Sequence, residues 1–216
     1  MFEMMERRGR ETAIYPRTLV YFVVHGEPTD WGGRLSDTGT KQIDDLCHSR
    51  IIPMLTAIYS SPDTPSVETA RIMEREFGTP TIVLKDLSGY ELKSGSDPAR
   101  LAEQIRKWWS TDDHGHSLTS SVKRVKYTLT SIASNNVGGS IAVVVAPDVD
   151  VIFRSLVYGG EPTLKDWLDS EYASCTAYEY SRGGWSLVMP QENSFLTQPS
   201  SVQSRLPEEL RRLLET

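Results

Sequence analysis

The chain has 216 residues, of which 38% are hydrophobic and 24% charged, and its formal net charge is −6. This profile is typical of a globular protein and excludes collagen-like, coiled-coil and wholly disordered chains. No apolar run approaches the ~20 residues of a membrane-spanning helix. Residues 1–17 mix Arg with Glu and lack the apolar stretch of a secretory signal. We therefore expect neither a membrane span nor a signal peptide.

Charge and cysteine content narrow the expected partners and compartment. The negative balance disfavours nucleic acid as the default partner. Cys47 and Cys175 lie far apart and outside metal-binding spacings, so we expect two reduced thiols rather than a disulfide framework. The expectation is an intracellular protein, cytoplasmic by default with an organelle matrix left open, that has no metal and no cofactor.

Short apolar runs rich in β-branched residues predict four buried strands, at 19–24, 57–60, 81–84 and 141–146. Their continuous apolarity is typical of a parallel sheet that is covered on both faces. Apolar residues at helical spacing predict helices between and after these strands, and two later segments predict a hairpin. The helices are expected at 40–52, 67–77, from Pro98 after an Asp97 cap, at 117–132 and at 149–158, and the hairpin at 174–180 and 185–189.

This alternation of strands and helices predicts an α/β fold, a three-layer α/β/α sandwich with a mostly parallel central sheet. Residues 1–17 are expected to form an N-terminal arm, 18–197 the domain, and 198–216 a linker with a C-terminal helix. That helix carries a stripe of leucines and is too short to be stable alone. It therefore needs a surface to pack on, either on its own chain or on a partner.

The most informative segment is 19–39, LVYFVVHGEPTDWGGRLSDTG. The predicted strand ends at Val24, and His25, Gly26 and Glu27 follow at its carboxyl end, where α/β sheets bind their ligands. The segment resembles the opening of the histidine phosphatase superfamily, in which a strand leads into Arg-His-Gly-Glu and then into an R-L-S/T-x-x-G turn before a helix. Residues 34–39, RLSDTG, match that turn.

The resemblance continues in the same order over about residues 17–197. Further segments are similar to the family's second motif, its L-x-E strand end, its G-E-S-L helix start, the strand before its second histidine, and its closing hairpin. These segments are 58–70, 84–91, 115–118, 141–147 and 175–196. The resemblance implies a phosphoglycerate-mutase-like fold.

The resemblance also implies a reaction and a set of site residues. In the family a neutral histidine attacks a phosphoryl group, two arginines and a second histidine hold the phosphate oxygens, and an acid protonates the leaving oxygen. This places the nucleophile on His25. It also implies substrate contacts from Gly26, Glu27, Arg34 and Ser61.

The other catalytic positions of the family carry unsuitable residues here. The two arginines fall on Val24 and on Pro65, or on a neighbour of Pro65 if the register shifts by one residue. The acid falls on Gly89. The second histidine falls on Pro147, or on Val149 in a shifted register. A clamping arginine is worth about 10³–10⁵ in the rate of phosphoryl transfer, so these losses predict little or no phosphatase activity.

We therefore expect a histidine-phosphatase-fold protein that has lost phosphatase or mutase activity. It would serve as a binding or structural module in an assembly, with another protein or a second copy of the chain as its partner. The alternative is a divergent phosphomonoesterase or phosphoglycerate-mutase-like enzyme that acts on a phosphate-containing small molecule. Such an enzyme would use His25 as nucleophile, with Arg34, His114 or Glu91 as replacements. A nucleotide-binding Rossmann domain is disfavoured because no G-x-G-x-x-G or Walker A sequence follows a strand.

Several residues keep two interpretations at this stage. His25 either retains a role toward a ligand or only satisfies backbone groups at the end of its strand. His114 and His116 form either a metal pair or, as we favour, a solvated loop. Asp148 and Asp150 would repel phosphate, and they either attract a cation or a basic partner or belong to an ordinary polar loop.

The Trp108-Trp109 pair is the last ambiguous feature. We expect one of these side chains in the core and the other exposed. An exposed tryptophan can anchor a protein partner, because large aromatic side chains dominate the binding energy of many interfaces.

Overall fold

A computed structural model describes residues 16–30, 33–90, 97–110 and 118–215. Within these ranges six strands form one sheet with helices on both faces, as the sequence predicts. The strands are β1 (Thr18–Val24), β2 (Ala57–Ser60), β3 (Thr81–Val83), β4 (Ser140–Val145), β5 (Cys175–Ser181) and β6 (Gly184–Glu192). The expected N-terminal arm, except for its last two residues, lies outside the described residues.

Eight α-helices occur in the described ranges, together with one 3₁₀ turn at Lys85–Leu87. They are α1 (Asp37–His48), α2 (Thr64–Phe77), α3 (Pro98–Trp109), α4 (Leu118–Asn135), α5 (Pro147–Tyr158), α6 (Leu164–Leu168), α7 (Val202–Arg205) and α8 (Glu208–Glu215). The sequence did not predict α6 or α7, which are too short to show an apolar period.

Two helices begin three residues earlier than predicted because side chains cap them. The Ser36 hydroxyl accepts a hydrogen bond from the Gly39 backbone N–H and so begins α1. The Asp63 carboxylate accepts one from the Ser66 backbone N–H and begins α2, with Pro65 in its first turn. Such caps satisfy backbone donors that the helix itself leaves free.

The sheet order is β3-β2-β4-β1-β5-β6. The first four strands are mutually parallel, and β5 and β6 run antiparallel, so the sheet is mixed but mostly parallel. In the central pair Val24 lies opposite Val145. The parallel strands thus end together at one edge, and the segments that follow them meet there.

Alternate residues of the central strands pack on opposite faces of the sheet, as the twofold period of a strand requires. On one face Val20, Phe22 and Val24 belong to a core formed with helices α3 to α8. On the other face Tyr21 and Val23 pack with α1 and α2. These two cores make the three layers. No helix in the described ranges is both long and apolar enough to cross a bilayer.

The C-terminal helix packs on its own chain, which decides between the two surfaces considered above. Leu206, Leu210 and Leu214 are buried in the same core as α3. The guanidinium of Arg106, on α3, donates a hydrogen bond to the carbonyl oxygen of Leu213. Helix α8 therefore supports α3.

Replacement of Leu210 by Ala should destabilise the whole domain. Leu210 is almost completely buried, and a buried Leu→Ala change costs about 2–5 kcal/mol in the free energy of unfolding. Glu209→Ala, an exposed change on the same helix, should cost less than about 0.5 kcal/mol. Urea denaturation measures both. Equal stabilities of the two variants would contradict the packing of α8 on α3.

Candidate functional site

A cavity of about 410 Å³ lies at the edge of the sheet where the parallel strands end. The segment that follows each of these strands lines it: His25 after β1, Asp63 after β2, Gly89 after β3, and Pro147 with Asp148 after β4. The volume lies within the range of small-molecule sites. Since ligands of α/β proteins bind at this edge, the cavity is the candidate functional site.

Aromatic side chains form much of the remaining wall. Tyr90 follows Gly89, Trp108 and Trp109 end α3, Trp167 lies in α6, and Tyr172 precedes β5. Both tryptophans of the pair are buried, with 9% and 8% of their surface exposed, so the expectation of one exposed tryptophan is wrong. The other lining residues are Pro28, Pro62, Thr64, Pro65, Ser88, Ile105 and Ala146.

The backbone of His25 is held on both sides. Its N–H donates to the Val145 carbonyl at 3.0 Å, and its carbonyl accepts from the Ala173 N–H at 3.1 Å. In the side chain, Nδ1 lies 2.8 Å from the carbonyl oxygen of Gly26. A carbonyl oxygen only accepts, so Nδ1 carries the proton and the lone pair of the neutral ring lies on Nε2.

Burial lowers the pKa of His25 below its ordinary value, because an imidazolium is poorly solvated in the cavity wall. The charge of Asp63 and the carbonyl of Gly26 oppose this shift and are the weaker causes. The ring stacks on Tyr172 with 5.6 Å between centroids. His25 is therefore a neutral, oriented imidazole at neutral pH.

The carboxylate of Asp148 occupies the space that a side chain at position 89 would fill. A Cβ atom on Gly89 would lie only 2.5 Å from Oδ1 of Asp148. The other oxygen, Oδ2, accepts a hydrogen bond from the Tyr90 backbone N–H at 2.7 Å. A carboxylate from the first turn of α5 thus stands beside the position where the resemblance implied a lost acid.

Burial, as the largest cause, and the charge of Asp63 raise the pKa of Asp148 to about 6 against the opposing effect of backbone N–H groups. Asp63 itself is fixed as the cap of α2. Its Oδ2 accepts from the Ser66 N–H at 3.1 Å, and its Oδ1 accepts from the Ser61 hydroxyl. Asp63 therefore influences both His25 and Asp148 across the cavity.

The positions that lack family side chains lie mostly around this cavity. Pro65, Gly89 and Pro147 all line it together with His25. Val24 does not, because its side chain points into the core and is only 1% exposed.

The four residues implied as substrate contacts do not line the cavity, since each has another partner. Arg34 is bound to Glu68 at 2.9 Å on the surface, with 82% of its side chain exposed. Ser61 donates to Asp63. The backbone N–H of Gly26 donates a hydrogen bond to the Thr69 hydroxyl. The carboxylate of Glu27 forms a 3.7 Å ion pair with Arg205.

The charged side chains among the described residues that line the cavity are all acidic. Among the described residues that line it, none is Lys or Arg, and the acidic side chains are Asp63 and Asp148. The described part of the chain also contains no cluster of three or more His, Cys, Asp or Glu side chains that could hold a metal ion. The candidate replacements Glu91, His114 and His116 lie outside the described residues.

Sequence reasoning gave no role to the acidic residue Asp63 or to the aromatic residues Tyr90, Trp167 and Tyr172 of the cavity. Asp63 follows the S-S-P segment and lies two residues before Pro65. An aspartate just before a proline in the first turn is the signal of a helix cap. The three aromatic residues are isolated in the sequence, so no pattern distinguishes them from ordinary core residues.

Residues 20–193 match the family model described as histidine phosphatase superfamily (branch 1). No curated protein matches the chain in sequence. The family resemblance predicted from the motifs is thereby confirmed over most of the chain.

Solved structures with the same fold include phosphoglycerate mutase from Bacillus anthracis, at a TM-score of 0.67 and 15% identity, covering 84% of this chain and 96% of that one. The structure of Bacillus stearothermophilus YhfR has a TM-score of 0.69 and 18% identity, and the match covers 83% of this chain and 99% of that one. Phosphoserine phosphatase from Entamoeba histolytica, solved with 3-phosphoglyceric acid, has a TM-score of 0.64 and 18% identity, and the match again covers 83% of this chain and 99% of that one. At these identities the likeness establishes the fold alone.

Replacement of Asp148 by Asn should stabilise the protein above about pH 6. The folded state holds the proton of Asp148 more tightly than the unfolded chain, so stability from the protonated form is complete below about pH 4 and is lost as the pH rises through about 6. Asn resembles the protonated form at every pH and keeps the acceptor for Tyr90. We expect a gain of about 1–3 kcal/mol near pH 8 and none near pH 4, measured by urea denaturation.

Asp37→Asn is the matched control, because Asp37 is also in the first turn of a helix but is exposed to water. Its removal relieves no burial, so it should give no gain near pH 8. If Asp148→Asn destabilises the protein near pH 8, the conclusion that burial of the ionised Asp148 carboxylate costs stability is wrong.

Proposed function

The chain belongs to the histidine phosphatase superfamily, and we propose that it is a member that keeps the phosphatase fold, acts as a binding protein and no longer transfers phosphoryl groups. The proposal concerns the cavity around His25. A protein partner or a second copy of the chain stays a prediction. Of the surfaces expected to serve it, the leucine stripe of α8 packs on α3, and the tryptophans Trp108 and Trp109 line the cavity.

One observation carries the proposal: the lining residues offer two carboxylates and no Lys or Arg within the described ranges. Phosphoryl transfer needs cations or donors on the oxygens that gain charge in the transition state. The side chains of Pro65 and Pro147 offer neither, and the space beside Gly89 holds the carboxylate of Asp148. The wall thus repels the group that the family reaction must hold.

Magnitudes support the same conclusion. Two like unit charges about 5 Å apart repel by about 3 kcal/mol at an effective dielectric of ~20. A phosphate dianion beside Asp63 and Asp148 would meet this repulsion and would lose its hydration without gaining partners. Loss of even one clamping arginine costs about 10³–10⁵ in rate where it has been measured.

A second candidate function is a divergent phosphomonoesterase, and the tautomer of His25 favours it. The bond from Nδ1 to the Gly26 carbonyl directs the lone pair of the neutral ring to Nε2, as a nucleophile requires. The raised pKa of Asp148, about 6, lies close to neutral pH, where a general acid works best. This candidate requires a cation that the described lining residues do not supply.

Turnover of p-nitrophenyl phosphate by the full chain separates the two candidates. We expect the rate of the wild-type protein to equal that of His25→Ala within error, because the electrostatic stabilisation of the transition state is missing. We also expect no acid-labile radioactive phosphate on the protein after incubation with a labelled phosphoryl donor.

His48→Ala serves as the control, because His48 is on the surface of α1 and forms its Nδ1 bond within that helix. Label that is lost in the His48→Ala variant would come from this surface histidine and not from the cavity. Turnover or labelling that His25→Ala abolishes and His48→Ala retains would overturn the proposed function and establish the enzyme.

A further inference from the structure

We infer that the cavity around His25 binds an organic cation, a methylated or quaternary ammonium group, held between the carboxylates of Asp63 and Asp148 and the surrounding aromatic rings. The inference rests on the proposed function, since a cavity that held phosphate would need the opposite charge. It names the chemical class of ligand that the proposal leaves open.

The first argument is the unbalanced charge of the two carboxylates. Asp148 is 5% exposed and Asp63 is half-buried, and both line the cavity. Their hydrogen-bond donors are neutral, namely the backbone N–H groups of Tyr90 and Ser66 and the hydroxyl of Ser61. Neither carboxylate forms an ion pair in the described part of the chain. A cation in the cavity would supply the missing counter-charge.

Asp150 provides a comparison, because a cation of the same chain lies beside it. Asp150 lies two residues after Asp148 on the same helix and is equally buried. Its Oδ2 is 3.8 Å from a guanidinium nitrogen of Arg154, and it does not line the cavity. Of these two buried aspartates of α5, Asp150 thus lies beside a cation of its own chain, whereas Asp148 lines the cavity.

The second argument is the aromatic wall. Tyr90 and Trp108 have ring centroids 4.8 Å apart, and Trp108 meets Trp109 at 4.6 Å with the rings perpendicular. Trp109 in turn lies 6.1 Å from Trp167. All four of these aromatic residues line the cavity. Aromatic faces attract cations, most strongly those of tryptophan, and cages of this kind hold quaternary ammonium groups.

The third argument distinguishes an organic cation from a metal ion. Ca²⁺ and Mg²⁺ need about six or more oxygen ligands, whereas this cavity offers two carboxylates among apolar rings. The neutral imidazole of His25 does not complete such a set, and the described residues hold no cluster suited to a metal. Methylated ammonium ions are weakly hydrated and large, so apolar walls and a cavity of about 410 Å³ suit them.

Calorimetric titration of the full chain with choline and with tetramethylammonium tests the inference. The comparison ligand is 3,3-dimethylbutan-1-ol, the uncharged analogue of choline, at matched chloride concentration. We expect saturable binding of both cations and at least about tenfold weaker binding of the alcohol. Asp148→Asn should weaken cation binding by about tenfold while the protein remains folded. Asp150→Asn, the matched variant on the same helix, should leave it unchanged within about twofold.

Each result decides the inference. Cation binding that Asp148→Asn weakens and Asp150→Asn retains supports it. No binding of either cation, equal binding of the alcohol, or equal effects of the two variants overturns it and leaves the proposed function intact, because that function is tested by phosphate turnover. Inorganic phosphate that binds and displaces choline would also overturn the inference, because the cavity would then accept an anion.

Discussion

The in-register parallel pairing of β1 with β4 is the constraint on which the rest of the site depends. It sets Val24 opposite Val145 and continues for one more bond, from the His25 N–H to the Val145 carbonyl. Because both strands end at this point, His25 and the first turn of α5 face the same cavity. The backbone pairing of the sheet brings these residues together whatever side chains they carry.

Among the described residues that line the cavity at that edge, the charged side chains are acidic. Asp148 lies in the first turn of α5, where the helix dipole and free backbone N–H groups favour an anion. That turn would otherwise be suited to a bound phosphate. Gly89 leaves the room that the carboxylate occupies. A helix end that could accept an anionic ligand is therefore occupied by a carboxylate of the protein itself, and aromatic rings form much of the remaining wall.

Much of the fold could be predicted from the sequence, because it depends on local patterns. The continuous apolar runs at 19–24 and 141–146 predicted the parallel core, and the Asp97-Pro98 cap predicted the start of α3. The site could be predicted only where a motif marks it, as at His25 and at Pro147. The contact of Asp148 with Tyr90 joins two residues that are 58 positions apart in the sequence, and the aromatic wall depends on helix packing. Neither leaves a period or a motif in the sequence.

The charge preference of the cavity is tested most directly at His25 itself. Nitrogen-edited NMR of the imidazole near neutral pH reports both its tautomer and its surroundings. We expect the neutral form protonated on Nδ1, with shifts that tetramethylammonium chloride moves and that sodium phosphate at the same ionic strength leaves unchanged. An imidazole that phosphate converts to the imidazolium form, and that tetramethylammonium does not affect, would contradict the account.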